Sequence, residues 1–237
     1  TPEIYAEAVA IMKRYRIGPL YTPPVFVDGE PGSPLGTLML PGYGGGANWP
    51  GAAFDPETNI LYVPSRTMIM SAAVGVADKN LSNLDYSREE TTVPVGPRGL
   101  PLVKPPWSRI TAIDLNTGEH VWMKPNGAAE PQVREHPDLH GLGLDFDSMG
   151  NTGRPGVLVT KTLLFAGDSG GLRSNPGSNM FRAFDKRTGE IVGEVELPSK
   201  PTAPPMSYMV GGKQYIVVAV GTDEHPSELV ALALREE

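Results

Sequence analysis

The chain has 237 residues with 40% hydrophobic and 20% charged side chains, enough for one sizeable core or one large all-β unit. Its formal net charge of −7 argues against a nucleic-acid partner, because a phosphate-binding surface needs clustered Lys and Arg. No run of 18 apolar residues exists to span a bilayer, and the absence of Cys excludes disulfides and thiolate metal sites.

Thr1-Pro2-Glu3 opens into an amphipathic stretch rather than a signal peptide. Ile4, Ala8, Ile11, Met12 and Tyr15 fall at helical spacing, so a helix is predicted over Pro2–Arg16 with Pro at its first position. Gly18-Pro19 ends it, and a Pro-rich loop follows from Pro23 to Pro34. Residues 1–35 therefore read as a helix and lead-in.

From residue 36 the periodicity becomes strand-like. Strands are expected at Gly36–Pro41, Gly51–Phe54, Ile60–Pro64, Ser108–Asp114, Glu119–Met123, Gly156–Thr160 and Leu163–Gly167. They continue at Met180–Asp185, Glu190–Leu197, Ser207–Val210, Gln214–Val220 and Glu228–Leu234. Asp55-Pro56-Glu57-Thr58-Asn59, Asn116-Thr117-Gly118, Arg187-Thr188-Gly189 and Gly211-Gly212 supply turns. The 28 Gly and 25 Pro, spread along the chain, suit a fold with many turns.

An internal repeat organises these strands. Ile110–Glu119 (ITAIDLNTGE) is echoed by Phe181–Glu190 (FRAFDKRTGE), and Leu229-Val230-Ala231-Leu232 is a truncated third copy. Each copy reads as a strand, a tight turn and a return strand; Asp can accept turn amides and Gly can take positive φ. In the first copy Trp122 stands four residues after the Gly, where its ring could dock between neighbouring sheets; the second copy has Gly193 there. Two further strands precede each copy, so the units are four-stranded, like propeller blades.

The fold class expected is all-β, a partial β-propeller occupying 36–237 with a short N-terminal helix. One blade covers about Pro50–Met123, interrupted by an insertion at Ser71–Pro106; a second covers Gly156–Leu197; the last, Ser207–Leu234, has three strands. So few blades cannot close a ring of the typical 4–8. The N-terminal strand of a longer chain is expected to complete the last one.

Gly44-Gly45-Gly46-Ala47-Asn48-Trp49-Pro50-Gly51-Ala52-Ala53-Phe54-Asp55-Pro56 resembles a signature of quinoprotein glucose and alcohol dehydrogenases. Tyr21-Thr22-Pro23-Pro24, Gly36-Thr37-Leu38 and Pro105-Pro106-Trp107 resemble the glucose dehydrogenase branch. Ala203-Pro204-Pro205-Met206-Ser207-Tyr208 with Gln214–Val218 is similar to the family's last blade. The resemblance covers nearly the whole chain and implies an eight-bladed propeller holding pyrroloquinoline quinone (PQQ) and Ca²⁺ near its axis. A substrate hydroxyl, of an aldose or an alcohol, would lose its proton to a carboxylate while hydride passes to the quinone. A quinone or cytochrome electron acceptor and a periplasmic location are also implied, and the absence of Cys is compatible with either periplasm or cytosol.

By this resemblance Asn48 corresponds to an asparagine that hydrogen-bonds PQQ, and Trp49 beside it joins the cofactor-binding set. Gly153 and Arg154, in the loop Asn151-Thr152-Gly153-Arg154-Pro155, align with a family loop near the cofactor's carboxylates. Arg154 departs from that loop, which carries Trp or small residues. The family's catalytic Asp, its quinone-facing Lys or Arg, its stacking Trp and most of its Ca²⁺ ligands match no segment here. Catalysis by this chain alone is not expected; the remaining blades or a partner chain would complete the site.

On their residues alone these positions have plainer readings. Asn48 is a turn residue beside three glycines, Trp49 and Trp107 are packing aromatics, and Arg154 is a solvated loop charge. Asp168, in Ala166-Gly167-Asp168-Ser169-Gly170-Gly171, resembles a Ca²⁺-binding loop but lacks the alternating oxygens of an EF-hand, so it reads as a turn. His120, His136, His140 and His225 read as surface residues, and Pro137 disfavours a zinc-binding helix. Gly44-Gly45-Gly46 has no Lys-Ser/Thr after it and is no phosphate cradle. A non-catalytic propeller scaffold binding a protein or carbohydrate is the competing function, which would not require the Asn48-Trp49 signature.

Overall fold

The computed structural model describes residues 1–27, 30–89, 93–168 and 177–234. Helix α1 spans Pro2–Met12, with Thr1 Oγ1 accepting the Ile4 N–H at 3.3 Å. It is shorter than the predicted Pro2–Arg16, because the Arg16 N–H bonds the Gly36 carbonyl at 2.9 Å and its backbone bridges Thr37 instead of continuing the helix. The strands are β1 (Val25–Phe26), β2 (Thr37–Met39), β3 (Ala53–Asp55), β4 (Ile60–Arg66), β5 (Met70–Val76), β6 (Tyr86–Arg88), β7 (Ser108–Asp114) and β8 (His120–Pro125). After a one-turn helix α2 (Pro131–Arg134) come β9 (Val157–Val159), β10 (Leu163–Gly167), β11 (Met180–Asp185), β12 (Ile191–Glu196), β13 (Met206–Val210), β14 (Lys213–Val220) and β15 (Glu228–Leu232).

Two compact units result. The first comprises Thr1–Gly46 with Thr67–Lys104. There β5 is the central strand, pairing in parallel with β1 and antiparallel with β2 and β6. No strand is predicted over Met70–Val76, whose Ser71-Ala72-Ala73 run lacks apolar alternation; all three side chains are buried between neighbours. Small residues buried on both faces leave no period to read.

The second unit, Ala47–Arg66 with Pro105–Glu237, holds the predicted blades. They are the antiparallel sheets β3-β4-β7-β8, β9-β10-β11-β12 and β13-β14-β15. The fold is a partial β-propeller, and the third sheet has three strands among the described residues. Tyr62, Ile110, Ala112 and Trp122 of the first blade pack with Val157, Leu164, Ala166 and Phe184 of the second. Phe181 and Leu197 then pack with Ile216, Val218 and Val220 of the third. Stacking apolar sheet faces in this way is what makes a row of blades one core.

The repeat recurs in three dimensions with identical register. Ala112 pairs with Trp122 and Ala183 with Gly193, each followed by a bulge. Asp114 Oδ1 accepts the Asn116 N–H and Asp185 Oδ1 the Arg187 N–H, both at 2.8 Å. Gly118 and Gly189 close the turns at φ 79° and 71°, in the left-handed region that favours glycine. Trp122 docks on the next blade as its position suggested: its Nε1–H donates to the Lys186 carbonyl at 3.0 Å.

Candidate cofactor site

Strand register places one set of loop residues at a common end of the blades. The Asn48–Gly51 turn leads into β3, which pairs Ala53 with Tyr62, so it lies at the end where β4 finishes at Arg66. Arg66 pairs with Ser108 at the start of β7, and Asn126 follows β8 there, donating its N–H to the Ser108 carbonyl at 3.0 Å. The loop after β8 returns to this end before β9, where the Gly150 N–H donates to the Gly127 carbonyl at 2.9 Å and the Asn151 N–H to the Asn126 carbonyl at 3.3 Å. Asn126 Nδ2 donates to the Gly167 carbonyl at 2.9 Å and ties the second blade to the same end.

This end carries an unusual polar burden. Six buried side-chain atoms have no hydrogen-bond partner among the described residues: Arg66 Nε, Ser108 Oγ, Asn126 Oδ1, Glu130 Oε1, Arg154 Nε and Ser199 Oγ. All six residues sit where β4, β7, β8 and β12 begin or end, or in the loops joining blades there. An unpaired buried polar atom costs about 1–3 kcal/mol, so their concentration sets this end of the blades apart.

The predicted residues fall here with different environments. Asn48 is half-buried; its carbonyl accepts the Gly51 N–H at 2.8 Å and its Oδ1 accepts the Trp49 N–H at 2.7 Å. Trp49 is 96% exposed, so the packing reading fails for it; the turn points the ring away from the core. Trp107 is a packing residue, 5% exposed, with its N–H on the Met149 carbonyl at 2.9 Å. Gly153 is buried, and Asn151 Oδ1 accepts its N–H at 2.7 Å, which shapes the loop. Arg154 is half-buried, with its Nε fully buried.

Arg66 and Glu130 were not legible as site residues. Arg66 ends an ordinary strand, yet its side chain is buried and Nη1 donates to the Thr152 carbonyl at 3.2 Å. Burial and the nearby Arg154 charge push its pKa down to about 10, so it stays charged at neutral pH. Burial pushes the Glu130 carboxyl above its usual range, although the Thr152 N–H and the Lys200 charge act against that. No local pattern in Ala129-Glu130-Pro131 announces either environment.

Asp168 is buried and ion-paired to Arg182, and Ser178 Oγ–H also donates to it. Arg182 continues to Glu194 at 3.3 Å. Ser169, Gly170 and Gly171 of the Asp- and Gly-rich loop lie outside the described residues. His136 Nδ1 accepts the Asp138 N–H at 3.2 Å, and His225 Nε2 meets Glu228 at 3.0 Å. Among the described residues no three His, Asp or Glu side chains converge as metal ligands.

Residues 1–216 match the family model of the PQQ glucose/ethanol/alcohol dehydrogenase β-propeller domain. The chain belongs to this PQQ dehydrogenase family. It is 25% identical to quinoprotein glucose dehydrogenase A of Acinetobacter calcoaceticus, over 88% of the chain and 26% of that protein. It is 28% identical to the quinoprotein glucose dehydrogenase of Escherichia coli, over 85% and 26%. It is also 26% identical to a quinate/shikimate dehydrogenase (quinone) of Acinetobacter baylyi, over 94% and 29%. The chain thus spans about a quarter of the length of the curated relatives it matches. The quinohemoprotein alcohol dehydrogenase of Comamonas testosteroni shares the fold, at TM-score 0.50 and 20% identity over 83% of this chain and 28% of that one. Within the PQQ dehydrogenase family, the end of the blades just described is this chain's candidate cofactor site.

Proposed function

We propose that this chain forms one wall of the PQQ site of a dehydrogenase that oxidises an aldose or an alcohol. The observation that carries the reading is the family match over residues 1–216, with the Asn48 turn and the Asn151–Pro155 loop at one blade end. A cofactor bearing carbonyls and carboxylates suits the donors and acceptor of the Asn48 amide and the guanidinium of the half-buried Arg154. When bound, PQQ supplies the hydride acceptor.

The residues here bind and orient rather than catalyse. The Asn48-Trp49 turn offers an amide and an exposed ring to the cofactor. The Asn151–Pro155 loop, its bend held by the Asn151 side chain on Gly153, presents Arg154. Asp168 is held by its ion pair with Arg182 and by the Ser178 hydroxyl. The general base and the Ca²⁺ ligands come from the remaining blades, so the chain alone is inactive. A quinone or cytochrome takes the electrons, and the protein works in the periplasm.

Incubating the full-length protein with PQQ, with and without Ca²⁺, tests the reading. Saturable retention of quinone absorbance together with dye reduction by glucose or ethanol is expected. Failure to retain PQQ under both conditions overturns it and leaves the scaffold reading.

A further inference from the structure

We propose that the groove between the second and third blades binds a small aromatic molecule of indole size. It would lie at the position that a tryptophan side chain fills between the first and second blades.

The repeat defines the site. In the first blade Ala112 pairs with Tyr62 on one side and Trp122 on the other. In the second blade Ala183 pairs with Phe165 and Gly193 in the same register. Trp122 is 9% exposed, its ring 5.8 Å from that of Tyr62, in one cluster with Leu164 and Phe184 of the next blade. Leu164 pairs with Phe184, and their counterparts in the third blade, Ile216 and Leu232, pair likewise. These neighbours of the Trp122 ring each have an equivalent one blade further on, where residue 193 has no side chain.

At that position the fold is open. A Cβ on Gly193 would meet nothing within 4 Å, whereas a Cβ on Gly189 would meet the Trp122 ring at 2.8 Å. A groove of about 720 Å³ runs past Gly193, lined by Phe165, Ala183, Ile216, Leu232 and Leu234. Its walls are therefore the counterparts of the residues that enclose Trp122. Phe165 stacks on Phe181 at 6.0 Å, which makes one wall aromatic. Leu234 stands at the repeat position of Lys186, whose carbonyl accepts the Trp122 Nε1–H at 3.0 Å. By the same equivalence the Leu234 carbonyl is the acceptor for a ligand N–H.

An aromatic ligand seated here regains the contacts that Trp122 makes and removes apolar surface from water. Apolar space left by a missing core side chain takes up ring compounds of matching size. Glu194, Lys213 and Gln214 add polar groups to the apolar lining, as in other small-molecule sites. Thr160 after β9 and Gly211 after β13 also line the groove, so it reaches the blade end opposite the candidate cofactor site. The site is thus separate from the function proposed above.

Equilibrium dialysis of the full-length protein against indole tests the site. Gly193→Trp is the variant that supplies the ring covalently. Gly193 lies in β12 outside the left-handed region, so its backbone accepts a side chain. The wild type is expected to bind indole saturably with a Kd of about 1 mM or tighter. Gly193→Trp is expected to weaken that binding at least tenfold, with a urea unfolding midpoint at or above the wild type's. No saturable binding by the wild type overturns the proposal. Binding that survives in the Trp variant also overturns it, because the indole then sits elsewhere. If the Trp variant does not fold, Gly193→Leu carries the test, and wild-type affinity in that variant overturns the site. Neither readout depends on PQQ, so failure here and failure of the proposed function are distinguishable.

Discussion

Lys186 Nζ donates to Asp55 Oδ2 at 2.6 Å, joining the second blade to the first across 131 residues of sequence. Both side chains are nearly out of water, 7% and 5% exposed. Asp55 is otherwise saturated: Oδ1 accepts the Glu57 N–H at 3.1 Å and Oδ2 the Thr58 hydroxyl at 2.7 Å. The Lys186 carbonyl in turn accepts Tyr62 Oη–H and Trp122 Nε1–H, each at 3.0 Å. One residue of the second blade thus gathers three of the first.

Asp55→Ala leaves the Lys186 ammonium buried without its partner. Stability is expected to fall by about 3–5 kcal/mol, read from the midpoint of urea unfolding. The double variant Asp55→Leu/Lys186→Met should lose far less, since it removes both desolvated charges. A double variant as unstable as Asp55→Ala would contradict this account.

The same pair sets an acid limit. Burial pushes the Asp55 carboxyl up, but the Lys186 ammonium, the Thr58 hydroxyl and the Glu57 N–H outweigh it and hold the pKa below the usual carboxylate value. A depressed folded pKa gives stability that is complete above the unfolded value of about 4 and is lost as pH falls through the folded value. Unfolding midpoints measured downward from pH 5 should therefore drop for the wild type. In Asp55→Asn the part of that drop due to residue 55 should vanish.

Trp122 and Gly189 form a matched contact between blades. A Cβ on Gly189 would lie 2.8 Å from two carbons of the Trp122 ring, at a φ of 71°. Trp122→Ala should cost about 3–5 kcal/mol through the cavity it leaves. Gly189→Ala should cost at least about 1 kcal/mol from backbone strain, with the ring displacement added. Thermal unfolding of the two variants and their combination would test whether the contact is shared, because the two losses should not add.

Glu130 has the opposite sign to Asp55. Its folded pKa is raised, mainly by burial, so the folded state holds a proton that the unfolded state has released. Stability then falls as pH rises from the ordinary carboxylate value through the raised one. Glu130→Gln is expected to raise the unfolding midpoint at pH 7 and to leave it unchanged near pH 3. An equal change at both pH values would assign the effect to packing instead.

Trp49 separates binding from folding. With its ring 96% exposed, Trp49→Ala should change stability by less than about 0.5 kcal/mol. In the full-length protein the same variant should weaken PQQ binding, measured by equilibrium dialysis. Unaltered PQQ affinity would remove Trp49 from the cofactor-binding set.

Much of the blade architecture is local in origin and so could be read from the chain. Ser108–Asp114, Leu163–Gly167 and Met180–Asp185 occur as predicted, because β-branched and aromatic residues alternate between Asp- and Gly-marked turns. The repeat also placed Trp122 at a blade-to-blade contact, since equal register in each copy requires equal positions. Where periodicity is silent the reading failed: Met70–Val76 is buried on both faces by small residues, and only its neighbours make it a strand. The candidate site was half legible. Asn48, Trp49, Gly153 and Arg154 stand in motifs, whereas Arg66 becomes a site residue only because the fold brings Thr152, 86 positions later, against its guanidinium. Local pattern determines which strands form and how they turn. Which charges are left buried and unpaired is decided by long-range packing, because desolvation belongs to the folded surroundings and not to the residue.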